Sequence, residues 1–446
     1  MRRIVRLATT LTLLGSAPLA AQAAVDSALN TYIASIKAID NHAHPLLPGT
    51  VDSEYDALPL AALAAFPLPT RLRPDDPVWL TAWQTLYGYP YHDTTAAHTR
   101  ELLDLKHRIT HDHGAYAAEW ALDQMGTDVM IANRITMGPG LAPPRFRWVP
   151  FDDALLFPLN TAGEAALTPD VRSLYPRESL LLVRYLSDLA LSTPPPTLDA
   201  YLAHVITPTL ERQRHAGAVA IKFELAYLRP LDITNPSRAS ARAIYARYTR
   251  GGTPTHAEYR TLEDFLFRAI AREAGRLGMA VHIHSIDLAG GFYNVSGSDP
   301  LLLEGVFNDS TLRATRFVIL HGGWPNVDHT LSMLSKPNVY ADISLMDQIL
   351  PAHALASVLR LWLSEYPEKV LFGTDAFADS NDDLIGWTES GWVASTTARH
   401  ALGLALTAML RDGDITRPRA EELARMVLRT NAVSLYALDS ATSNAR

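Results

Sequence analysis

Cysteine is absent from the 446 residues. That excludes disulfides, thiol nucleophiles and thiolate-held zinc, so any metal must be bound by imidazole, carboxylate or lysine-derived groups. A basic tract is missing as well. The 39 Lys and Arg stand against 47 Asp and Glu, a formal net charge of -8 with the signs interspersed, and a nucleic-acid partner is not expected. Beyond the first two dozen residues no apolar run approaches the roughly 20 residues that cross a bilayer. There is no internal repeat and no long low-complexity tract.

What is present begins with an N-terminal segment of distinct character. Arg2, Arg3 and Arg6 give a positive start, Leu7 to Leu19 is mostly apolar, and Ala21-Gln22-Ala23 supplies a small-x-small cleavage pattern. Residues 1–24 therefore read as a secretory signal peptide and 25–446 as one domain. The mature protein is expected in the periplasm or secreted, with no membrane span. With 48% hydrophobic and 19% charged residues, the remainder can bury a large core.

Short apolar, β-branched runs recur, all but one ending in a polar residue and most followed by a helical stretch: Ser35–His42, Thr127–Asn133, Phe146–Phe151, Ala218–Glu224, Met279–Ser285, Arg316–His321, Asn338–Ser344 and Lys369–Asp375. Such runs mark buried parallel strands. Eight of them fit a (β/α)8 TIM-like barrel, whose reacting groups stand at the strands' C-terminal ends. Helices are expected over Thr261–Leu277, Ala352–Tyr366 and Arg417–Leu438. Three segments exceed ordinary βα connections: Pro45–Met125, Asn160–His215 and Ala226–Thr261. Long insertions on that face shape a substrate pocket or lid.

Polar groups gather at the predicted strand ends. His42 and His44 close the first strand two residues apart, so both would point one way. With 16 histidines, chance supplies roughly half an H-x-H pair, so context must decide among the three in this chain. His111 and His113 lie in a charged helical stretch and read as surface residues. Of His282 and His284, only the latter reaches the strand's C-terminal rim. Lys222 and Glu224 share a face at the end of the fourth strand, His321 ends the sixth and Asp375 the eighth. Any one of these is more often a satisfied core residue than a ligand. Several meeting in one barrel mouth would be costly unless a cation or a bonded network compensates them.

H-x-H on strand one, Lys on four, His on five and six and Asp on eight together resemble the amidohydrolase superfamily, more narrowly its amidohydrolase-related (amidohydrolase-2) branch. Asp40–Pro45, Ile221–Arg229, His321–Pro325, Tyr340–Ser344 and Gly373–Ala376 are similar to the amidohydrolase-like domain fused to glutamine synthetase in plants and fungi. The resemblance implies a metal-dependent hydrolase that cleaves an amide or other C–N bond, with one or two divalent ions, zinc foremost. His42, His44, His284 and Asp375 would be ligands, His321 a ligand or catalytic imidazole, and Asp375 the proton acceptor. Lys222 would be either carboxylated and bridging, or ion-paired with Glu224. Tyr227, Arg229 and Trp324 follow strands four and six and are candidates to bind a small-molecule substrate, with Arg229 suited to a carboxylate; Arg145 and Arg147 are weaker candidates. Nonoxidative decarboxylation and lactone hydrolysis are the neighbouring reactions on this scaffold. A phosphoesterase barrel fits the eight strands poorly, and a non-enzymatic binding barrel would have lost the ligands.

Overall fold

Eight short parallel strands carry the chain around a barrel: β1 (Ala38–Ala43), β2 (Thr127–Asn133), β3 (Phe146–Val149), β4 (Ala220–Phe223), β5 (Ala280–Ile283), β6 (Phe317–Ile319), β7 (Val339–Asp342) and β8 (Val370–Leu371). This computed structural model describes residues 25–48, 52–287 and 290–438; the segment read as a signal peptide lies outside them. β1 to β3 form one parallel ladder and β4 to β8 another. Bridges at Trp148–Ala218 and Phe151–Lys222 join β3 to β4, and Ala43–Ala376 joins the end of β8 to β1. The second seam is fastened by Asn41 N to Phe372 O at 2.8 Å, Asp375 N to His42 O at 2.7 Å and His44 N to Ala376 O at 2.8 Å. The ring is thereby closed as a (β/α)8 barrel.

All eight predicted strands exist, mostly shorter than expected. Ser35 belongs to a preceding helix, Ser27–Ser35, which starts where the Asp26 side chain caps the Leu29 amide. β3 stops at Val149 because Pro150 has no amide hydrogen to give. The helix expected over Thr261–Leu277 begins earlier: Thr255 and Glu258 form a capping box, and it runs His256–Arg276. The C-terminal helix is interrupted by a π-type turn, Met426–Thr430, which offers the Val427 carbonyl to Phe372 N beside β8.

Ile39, Ile131, Val149, Ala220, Ala280, Val318 and Leu371 pack with Ala432, Leu435 and Tyr436 of the last helix, so an apolar plug underlies the polar rim. A larger apolar layer joins the strands to the surrounding helices. The first excursion is helical, with Pro77–Tyr87, Ala96–His113 and Ala117–Met125. Its start is tied to the barrel mouth: Arg134 donates two bonds to Asp52, and the Glu54 carboxylate accepts from Thr136. Among the described residues no helix is long and apolar enough to cross a membrane.

Candidate metal centre

One cavity opens at the C-terminal rim. His42, His44, Lys222, Tyr227, His284, His321 and Asp375 line it together with Tyr55, Asp56 and Leu60 of the first excursion and Leu345, Phe377 and Asp379. Most of the polar groups sit at or just past a strand end, where the ladder stops and side chains can turn inward.

Nitrogens of His42 and His44 and an oxygen of Asp375 lie within 4.8 Å of one another. The Oδ1 atom of Asp375 is 3.0 Å from His42 Nε2 and 3.6 Å from His44 Nε2. His284 is outside this threesome, on the same cavity beside His321 with ring centres 4.7 Å apart. His321 and Asp375 both carry positive φ, 59° and 51°, a conformation that costs about 1–3 kcal/mol outside glycine and persists where the surroundings impose it. Here His321 N is held by Asp342 at 2.8 Å and the Asp375 carbonyl by Gln348 Nε2 at 2.9 Å.

A chain of hydrogen bonds assigns the tautomers. Ser344 Oγ donates to Asp342 Oδ1 at 2.7 Å, so its oxygen accepts from His321 Nδ1 at 3.0 Å. The other His321 nitrogen then has only a lone pair, and it accepts from His284 Nδ1 at 3.1 Å. His284 Nε2 is left unprotonated, buried and without a partner. Burial, then the charge of Lys222, hold His42 and His284 well below the ordinary imidazole pKa; burial does the same for His321, against the pull of Asp375. These rings are therefore neutral at physiological pH, the form that binds a metal. Clustered neutral nitrogens, a carboxylate and an orphaned imidazole lone pair fit a divalent ion. His42 Nδ1 lies 2.7 Å from the Asn133 amide, whose oxygen has no other partner. Turning that oxygen toward Nδ1–H leaves His42 Nε2 free to ligate.

Both His321 nitrogens are engaged by protein groups, so this ring positions His284. His282 sits deeper, its Nε2 2.6 Å from Tyr436 Oη, as its strand position implied. Lys222 Nζ is 3.3 Å from His42 Nε2 and 3.7 Å from Glu224 Oε1. Tyr227 packs edge-on against His284 at 4.3 Å. Arg229 is elsewhere, buried between Glu263 at 2.9 Å and Asp264 at 2.7 Å. Trp324 packs behind the cavity wall with Leu345 and Phe377. Arg145 bonds Asp123 and the Asp128 carbonyl, and His111 is exposed on its helix. Asp56, 3.2 Å from His44 Nδ1, went unforeseen because it lies in an excursion with no strand pattern to place it. Asn133 ends β2, where its position was a usable signal.

Solved structures repeat this architecture. A Lactobacillus casei protein described as a metal-dependent hydrolase superposes with a TM-score of 0.58 at 14% identity, covering 92% of this chain and 97% of its own. Glucuronate isomerase from Caulobacter crescentus gives 0.54 at 13% identity over 94% and 95%. Uronate isomerase from Thermotoga maritima gives 0.52 at 12% identity over 92% and 96%. At such identities the likeness speaks to the fold. No curated protein matches the sequence. The sequence pattern of the amidohydrolase family, however, matches residues 197–438, more than half the chain, with Lys222, His284, His321 and Asp375 inside the matched span, and the chain belongs to that family.

Proposed function

We propose that the protein is an exported metal-dependent hydrolase that cleaves an amide or other C–N bond, with zinc as the preferred ion. The single observation that carries this reading is the meeting of His42, His44 and Asp375 donors within 4.8 Å on a cavity that also holds the orphaned His284 Nε2. His42, His44, His284 and Asp375 would hold the ion. When bound, it supplies Lewis acidity that makes water a nucleophile near neutral pH and polarises the scissile carbonyl.

The remaining work falls to side chains. Asp375 turns Oδ1 toward the two histidines and keeps Oδ2 apart, 3.8 Å from His321 Nδ1. Oδ2 is the atom that takes the proton from the attacking water and returns it to the leaving nitrogen as the C–N bond breaks. His321 and Ser344 keep His284 in one tautomer. Lys222 pairs with Glu224 in this reading, which favours one ion; a carbamate on Lys222 Nζ would instead indicate two. Membership of the amidohydrolase family supports hydrolytic chemistry.

Elemental analysis of purified protein, joined to an amide panel read by amine release before and after chelation, tests the proposal. Bound zinc and chelator-sensitive amine release are expected. Carbon dioxide release in place of amine, or protein without any metal, overturns it. N-terminal sequencing of secreted material tests export, with Ala24 or Val25 expected first.

A further inference from the structure

At the edge of this cavity, with Glu224 just behind its wall, stands a second set of donors around His44. One of its nitrogens and one oxygen each from Asp56 and Glu224 lie within 4.8 Å of one another. They come from the end of β1, the first excursion and the turn after β4. Asp56 lines the cavity. Glu224 is 1% exposed, and its Oε2 has no hydrogen-bond partner. A buried carboxylate in that position is costly unless a cation meets it.

Lys222 lies 3.7 Å from Oε1 and leaves Oε2 unmet. Lys222 is shared between Glu224 and His42. Among the described residues no arginine lines the cavity, where Asp56, Asp375 and Asp379 face Lys222 alone. Arg229, the residue suited to a substrate carboxylate, is held by Glu263 and Asp264. A second metal fits these donors poorly. An imidazole that gives Nε2 to one ion carries its hydrogen on Nδ1, and a protonated nitrogen is no ligand; an Asp56 oxygen lies 3.2 Å from it. An ammonium group brings three donors and asks no lone pair of His44.

We propose that Asp56 and Glu224 form a subsite for a protonated amine, so that the substrate is a C–N compound carrying a free aliphatic ammonium group close to the bond that is cleaved. This rests on the hydrolase reading only in taking this cavity as the substrate site. Leu60, Tyr227, Leu345 and Phe377 give the carbon chain apolar walls, while Asp56 and Asp379 repel anionic substrates.

Calorimetric titration of the zinc-loaded full chain with butylammonium, butanol and butyrate tests this without turnover. Butylammonium is expected to bind, with butanol and butyrate at least tenfold weaker. Asp56→Asn keeps the side chain's size and removes its charge, so zinc per chain should stay constant while butylammonium affinity falls at least tenfold; Glu224→Gln should act alike. Asp56 is partly exposed, so its variant folds even if Glu224→Gln does not. Butyrate or butanol binding as well as butylammonium, no butylammonium binding, or affinity unchanged in Asp56→Asn would overturn the subsite. So would two zinc ions per wild-type chain falling to one in Asp56→Asn, which would make it a metal site. Protein that releases amine from amides yet ignores butylammonium loses only this subsite; protein that binds butylammonium yet cleaves no amide loses only the hydrolase reading.

Discussion

Arg134 fastens the first excursion to the barrel, and Arg134→Met shows how much that fastening contributes. Its buried guanidinium donates to Asp52 Oδ2 at 2.7 Å and Oδ1 at 3.0 Å, and to the Thr136 carbonyl at 2.9 Å. Breaking a buried pair from one side costs about 3–5 kcal/mol. Asp52 keeps the amides of Leu47 at 2.8 Å and Glu54 at 3.1 Å, which places the cost near the lower end. With about 2.1 cal/mol/K of unfolding entropy per residue, a chain of this size has roughly 0.9 kcal/mol/K, so Tm should fall by about 3 °C. Replacing both partners, Arg134→Met with Asp52→Asn, removes the stranded charge, keeps an oxygen for one of those amides and should recover part of that loss. Burial raises the Asp52 carboxyl, but Arg134 and the Leu47 amide outweigh it and hold it below its ordinary value. A depressed carboxyl contributes stability above its unfolded pKa, near 3.9, and loses it as pH falls through the folded value. The gap between wild type and Arg134→Met should therefore be full at neutral pH and close in acid below about pH 4. Differential scanning fluorimetry across pH reads both effects. A single variant within about 1 °C of wild type, or a double variant less stable than the single, would refute the reasoning.

Three further outcomes follow from the site and its supports. Asp375→Asn should keep the fold and lower kcat/KM by about 10²–10⁴, the contribution of a positioned proton carrier; amine-release kinetics with circular dichroism check it. Ser344→Ala frees His321 to change tautomer and should weaken zinc binding by about 10–100-fold, read by competition with a chromogenic chelator, and unchanged affinity would contradict the hydrogen-bond chain. Gly323→Ala would put a Cβ 2.3 Å from Pro300 Cγ and 2.4 Å from Thr330 Oγ1 at φ +65°, and should destabilise by about 3 kcal/mol in urea unfolding through overpacking plus left-handed strain.

The sequence by itself determined the barrel and the identity of most rim groups, because both are written in local order. Buried parallel strands are apolar runs bounded by polar residues, and the ends of those runs fall at His42, His321 and Asp375 and one residue past His284, whatever the loops do. Tertiary structure alone decided which of these groups meet and what they face. Seven predicted site residues share one cavity, while Arg229 lies between Glu263 and Asp264, acids on the helix His256–Arg276 whose nearness no spacing reveals. Asp56 reaches His44 because distant ion pairs at Asp52 and Glu54 dock its segment. The lone pair on His284 depends on Ser344 and Asp342, two strands away. Periodicity is a property of neighbours along the chain, whereas charge pairing and tautomer choice are set by whichever groups folding brings within hydrogen-bond reach.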